Sequence, residues 1–155
     1  MDAVLSLWQQ DIMNASYTSS GLERTHGSVL VYLLEHEEHS TGAQVVYECL
    51  VKDGWDVDLL VNVHTSVVLK AISFGRYDAL GISIGRDEHL FRLADFILDA
   101  RVKSANPEIV VLLGGAAITK PFKQYEFLGV DAIVMDVPDV TAFLLKEKAL
   151  RNSLN

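Results

Sequence analysis

The 155-residue sequence predicts an α/β fold: a flavodoxin-like (Rossmann-like) doubly wound sheet of five parallel strands in the order 2-1-3-4-5, with a short N-terminal helix in front. Three observations lead there. Short, continuous apolar runs recur from residue 28 onward, as expected of strands buried on both faces. Segments of helical period separate them, so each strand is followed by a crossover that returns the chain to the same edge. Right-handed crossovers then favour the doubly wound order.

The elements follow in turn. Residues 1–27 read as an N-terminal helix and linker: Val4, Leu7, Trp8 and Ile12 form a helical stripe, and 14–21 are polar with turn chemistry. The main domain spans 28–150. Its first strand is Ser28–Leu34, followed by the polar loop Glu35–Ser40 and a helix over Thr41–Lys52, which Ser40 or Thr41 caps and Gly54 stops. Asp56–Asn62 is the second strand and Ser66–Ser73 a helix. Asp78–Gly85 is the third strand; Glu88–Val102 is a long helix in which Leu90, Ala94, Ile97 and Leu98 recur. Ile109–Leu113 is the fourth strand, ending in Gly114-Gly115, and a short helix follows Pro121. Ala132–Met135 is the fifth strand and Asp139–Leu150 the last helix.

Composition narrows the function. The formal charge is 13 − 21 = −8, which leaves no basic patch for direct contact with nucleic acid. No apolar run reaches the roughly 18 residues of a membrane span, and the N-terminus lacks the basic start of a signal peptide. The single cysteine, Cys49, excludes an internal disulfide and fits a reducing, cytoplasmic setting. It lies mid-helix on the apolar side and reads as core.

In such a sheet a ligand binds beyond the carboxyl ends of the strands where the strand order reverses, here between the first and third. Three segments reach that edge: Glu35–Gly42, Ser83–Asp87 and Gly114–Thr119. Gly-x-Gly-x-x-Gly and the Walker lysine loop are both absent. Glu35, Glu37 and Asp87 imitate the acidic residues of a phospho-receiver, but Asp136-Val137-Pro138 follows the fifth strand where the lysine is needed. His36 and His39 supply two ligands where structural zinc wants four.

Glu37-Glu38-His39-Ser40-Thr41-Gly42 resembles the Asp-x-His-x-x-Gly motif of cobalamin-binding domains, with Glu in place of Asp. Ser83-Ile84-Gly85 is similar to that family's Ser-x-Leu segment and Gly114-Gly115-Ala116 to its Gly-Gly. The likeness continues through Thr119 and through Gly129-Val130-Asp131-Ala132 to Asp136, covering about residues 27–148. It implies that His39 is the lower axial ligand of cobalt, replacing the benzimidazole of the cofactor's own tail, with Glu37 orienting it. It also implies that Gly42, Ser83, Gly85, Gly114, Gly115 and Thr119 hold the cofactor.

The chemistry agrees. Imidazole is a good ligand for cobalt or iron, and a carboxylate on its second nitrogen fixes the tautomer. Ser83 offers a hydrogen bond to a ring nitrogen, and the glycine pair lets a flat ring approach the backbone.

Ala43 and Gln44 stand where methyl-transferring corrinoid proteins have lysine and asparagine. The likeness therefore runs closest to the regulatory branch of light- and redox-responsive regulators of photosynthesis genes, some of which hold haem. The expected function is a non-catalytic tetrapyrrole sensor that binds cobalamin through His39, or haem in a variant mode; His64 and His89, at helix starts, read as surface histidines rather than as a second haem ligand. It regulates a protein partner, expected to be a transcription regulator, through ordering of Glu35–Gly42. A corrinoid carrier subunit of a methyltransferase or mutase is the alternative, and a cofactor-free docking module a third.

Overall fold

The computed structural model describes residues 16–18, 26–34 and 41–154. It contains a six-stranded sheet of strands β1 (Ser16–Thr18), β2 (Gly27–Leu33), β3 (Trp55–Val61), β4 (Ala79–Ser83), β5 (Val110–Gly114) and β6 (Ala132–Val134). The spatial order is β1-β3-β2-β4-β5-β6. The five parallel strands thus take the order expected from the sequence. The difference is β1: residues 16–18, read as linker, pair antiparallel with β3, Ser16 opposite Leu60 and Thr18 opposite Asp58. An edge strand needs only backbone pairing on one side, so its three residues carry no apolar run to announce it.

Helices α1 (Thr41–Lys52), α2 (Thr65–Phe74), α3 (Leu93–Lys103) and α4 (Val137–Leu154) cover the two faces. One core cluster packs Val68 and Ile72 of α2 and Phe96 and Ile97 of α3 onto Leu30, Leu80 and Val111. The other packs Ala43 and Leu50 of α1 and Val140 and Leu144 of α4 onto Val29, Val57 and Leu112. β2 is central, and Val29 through Leu33 are all at most 4% exposed, which is why this strand reads as an unbroken apolar run.

The turns have local causes. Gly54 adopts φ +93° between α1 and β3, where a side chain would be strained. His64 caps α2, its Nδ1 accepting from the Ser66 amide at 3.1 Å. The long helix expected over 88–102 is divided: Asp87–Arg92 is 3-10 and α3 begins at Leu93. Leu98, part of the expected stripe, is 63% exposed, because the buried positions of α3 run through Leu93, Phe96, Ile97 and Ala100.

Two polar clamps tie the connections to the sheet. Asp131 Oδ2 accepts from the Val111 amide at 2.8 Å and from Arg101 Nη2 at 3.0 Å. The same guanidinium reaches the carbonyls of Ile109 and Gly129. The resemblance through Gly129–Asp131 therefore marks a structural tie between α3, β5 and the entry to β6. On the other side Tyr77 Oη donates to Asp58 Oδ2 at 2.5 Å. Burial first, and then the Asp58 charge, push the Tyr77 phenol well above its ordinary value.

Candidate cofactor cleft

The carboxyl ends of β2, β4, β5 and β6 converge on one side of the molecule, and a cavity of about 470 Å3 opens there between the sheet and the helices α1 and α4. That volume lies in the roughly 300–1,000 Å3 of small-molecule sites. Register sets its walls. Leu33, Ser83, Gly114 and Val134 stand side by side as the upper row, and Val31, Gly81, Leu112 and Ala132 as the row below. From above, Val46 and Leu50 of α1 and Val140 of α4 close over the sheet.

Gly42, Ser83, Gly114 and Gly115 all line this cleft, so residues from all three motif segments meet in one place. Gly85 and Thr119 do not line it. Both are exposed, and the Thr119 amide donates to Tyr125 Oη at 3.1 Å. Glu37 and His39 lie outside the described residues, as do His36 and Trp8. Gly42, which follows the histidine loop, is at the first turn of α1 and on the cleft wall. His64 is exposed and occupied as a helix cap, His89 is buried in the 3-10 turn, and Cys49 is half-buried on α1 rather than fully in the core.

The glycines divide by function. A Cβ at Gly42 or at Gly81 meets nothing within 4 Å, so both face open space. Gly115 has φ +109°, and its Cβ would overlap the Ile84 backbone, with the Ile84 nitrogen at 2.6 Å. Gly114 Cβ would lie 3.1 Å from the Val134 carbonyl. Gly115 is thus demanded first by the close passage of the chain just after β4, and only then by any ligand, while Gly114 sits tightly against β6.

Sequence reasoning did not single out Gly81, although a glycine inside a strand is itself a signal of close approach by a ligand or backbone. It also did not assign Asp136 to the site. Asp136 lines the mouth of the cleft, and its Oδ1 faces the Asp139 amide at 3.4 Å at the start of α4.

An apolar slot floored by a glycine and entered past a hydroxyl suits a flat, largely apolar ring system, and so fits the tail of a cobamide. The profile of the family described as the B12 binding domain matches residues 27–142. The chain belongs to that family. Among solved structures, this B12-binding domain is similar to a cobalamin-binding protein from Desulfitobacterium hafniense: TM-score 0.69, 13% identity, covering 77% of this chain and 58% of that one. It is similar to the monomethylamine corrinoid protein of Methanosarcina barkeri: TM-score 0.69, 18% identity, covering 79% of this chain and 58% of that one. It is also similar to the methanol:cobalamin methyltransferase complex of the same organism: TM-score 0.63, 19% identity, covering 82% of this chain and 50% of that one. At these identities the likeness is one of fold. The B12-binding domain spans between half and three-fifths of the length of those three chains. No curated protein matches it. Among the described residues no helix is long and apolar enough to cross a membrane.

Proposed function

We propose that this B12-binding domain is a cobalamin-carrying module that has no catalytic centre of its own and presents the cofactor to a separate protein. The observation that carries the reading is the cleft, in which Gly42, Ser83, Gly114 and Gly115 from three distant motifs share one apolar slot. Ser83 is assigned to hydrogen-bond a nitrogen of the nucleotide tail, and α1 to exclude water from it. His39 is assigned as the residue that would ligate the metal and Glu37 as the carboxylate that would orient it, on the strength of the motif that leads into Gly42. Gly85 and Thr119, outside the slot, are not assigned to the tail. When bound, cobalamin supplies the reactive cobalt; the chain ligates it, anchors its tail and leaves the rest to the partner.

The first reading of that partner is a methyltransferase or mutase, with the domain as corrinoid carrier. Its support is the fold shared with the monomethylamine corrinoid protein and the methanol:cobalamin methyltransferase complex. A second reading, a sensor acting on a transcription regulator of the photosynthesis type, is favoured by Ala43 and Gln44 in place of the lysine and asparagine of methyl carriers. Haem is the alternative cofactor within that second reading.

The test is an absorption titration of the chain with hydroxocobalamin and, separately, with haemin, repeated on His39→Ala. A saturable cobalamin spectrum that changes in His39→Ala, with unaltered circular dichroism, is expected. Identical spectra in the variant remove His39 as ligand, and a haem band without cobalamin binding overturns the cofactor. Hydrogen exchange separates the two partners. Protection of Glu35–Gly42 that changes with the state of the cobalt supports the sensor, and constant protection supports the carrier.

A further inference from the structure

The cleft is graded by depth, and strand register sets the grading. Successive rows on one face of a sheet lie about 6.6 Å apart, two residues at about 3.3 Å each. Ser83 and Gly114 are in the upper row; Val31, Gly81 and Leu112 are in the row below; Val29, beside Ala79, is lower still. Among the described residues, the polar side chains on the lining, Ser83 and Asp136, are therefore confined to the upper row and the mouth. Beneath them the side-chain walls are Val29, Val31 and Leu112 from the sheet with Val46, Leu50 and Val140 from the helices. The backbone amides and carbonyls at that depth are engaged in the ladders of β2, β4 and β5. Gly81 gives the cleft this depth, since a Cβ there meets nothing within 4 Å.

We infer that the cleft selects among cobamides by the base that ends the tail, favouring an alkylated benzimidazole over a purine. The inference rests on the reading that the tail enters the cleft, and deepens it. Both kinds of base carry an imidazole nitrogen, which Ser83 in the upper row can serve. They differ in the six-membered ring. That of dimethylbenzimidazole presents only carbon and two methyl groups, which the valine and leucine walls accept. That of adenine presents an amine and two ring nitrogens, which give up water and find no side-chain partner below the upper row among the described residues. A polar group desolvated without a partner weakens binding by about tenfold to a hundredfold.

The full 155-residue chain is titrated, by absorbance, with cobalamin, with its adenine-tailed analogue, and with cobinamide, which has the corrin and no nucleotide. Cobalamin is expected to bind at least about tenfold more tightly than either of the others. Val31→Thr, which brings a hydroxyl to the lower row with little change of shape, narrows the gap between the two tailed forms. Gly81→Leu, which fills that row, lowers cobalamin to the level of cobinamide and leaves cobinamide unchanged. Equal affinity for the two tailed forms, both above cobinamide, overturns the selection while keeping the tail in the cleft. Equal affinity for all three overturns the tail site as well, and binding of none overturns the proposed function. The comparison of the three compounds on the unaltered chain decides the matter even where Gly81→Leu fails to fold.

Discussion

Gly81 and Gly115 lie on neighbouring strands or just past their ends, yet the same substitution has opposite consequences at the two positions. At Gly115 a methyl group meets the Ile84 backbone, and φ +109° is strained for any side chain. Gly115→Ala is expected to cost roughly 2–3 kcal/mol, read as a lower urea midpoint at unchanged slope. At Gly81 the methyl group enters open space, so Gly81→Ala is expected to be neutral or to stabilise by up to about 0.5 kcal/mol. Equal midpoints for the two variants would remove this account of Gly81 and Gly115. Gly114-Gly115 was legible in the sequence as a motif, but the reason for Gly115 was not, and Gly81 was not singled out at all. What Gly115 avoids is the backbone of Ile84, which reaches it only once β4 and β5 are paired. Gly42 was legible because it closes one short motif; the lining valines looked like ordinary core.

The turn between α2 and β4 is tied to the far side of the sheet by one side chain. Tyr77 Oη donates to Asp58 of β3, and burial with that carboxylate raises the phenol above its ordinary value near 10. The native state then keeps a proton that the unfolded chain releases above pH 10. This contribution to stability is complete below pH 10 and is lost as pH rises past it, by at most about 1.4 kcal/mol per unit. Tyr77→Phe is expected to flatten the alkaline limb of a stability–pH profile between pH 10 and 11. It will not abolish the limb, because burial moves Tyr47 in the same direction. An unchanged limb would show that Tyr77 ionises with equal ease in both states. At this scale the sequence was a good guide to the helices and strands of the described residues, with two exceptions of different origin, while the helix expected near the N-terminus lies outside them. β1 carries no pattern, because one-sided pairing requires none. The 3-10 segment Asp87–Arg92 has the composition of a helix, and nothing in its residue types marks it off from α3, which begins at Leu93.

For the molecule as a whole, a cofactor that binds only the folded state must raise its stability. Cobalamin at a hundred times its dissociation constant adds about 2.7 kcal/mol, or roughly 5–10 °C in Tm for a domain of this size. Differential scanning calorimetry with and without cobalamin checks this. The shift should be absent in Gly81→Leu, and a shift of equal size in that variant would place the ligand elsewhere. The chain by itself determined the alternation of strand and helix, the doubly wound order and, in Gly42, Ser83, Gly114 and Gly115, positions that meet at the carboxyl edge. Those depend on hydrophobic period and turn chemistry, which neighbouring residues carry. Only the tertiary structure decided that the site runs down one face of the sheet beneath α1 and α4, and that its lower row is apolar with a gap at Gly81. That gap exists because Val31, Gly81 and Leu112, far apart in the chain, become neighbours, and register between strands is set when the sheet assembles rather than by any one segment.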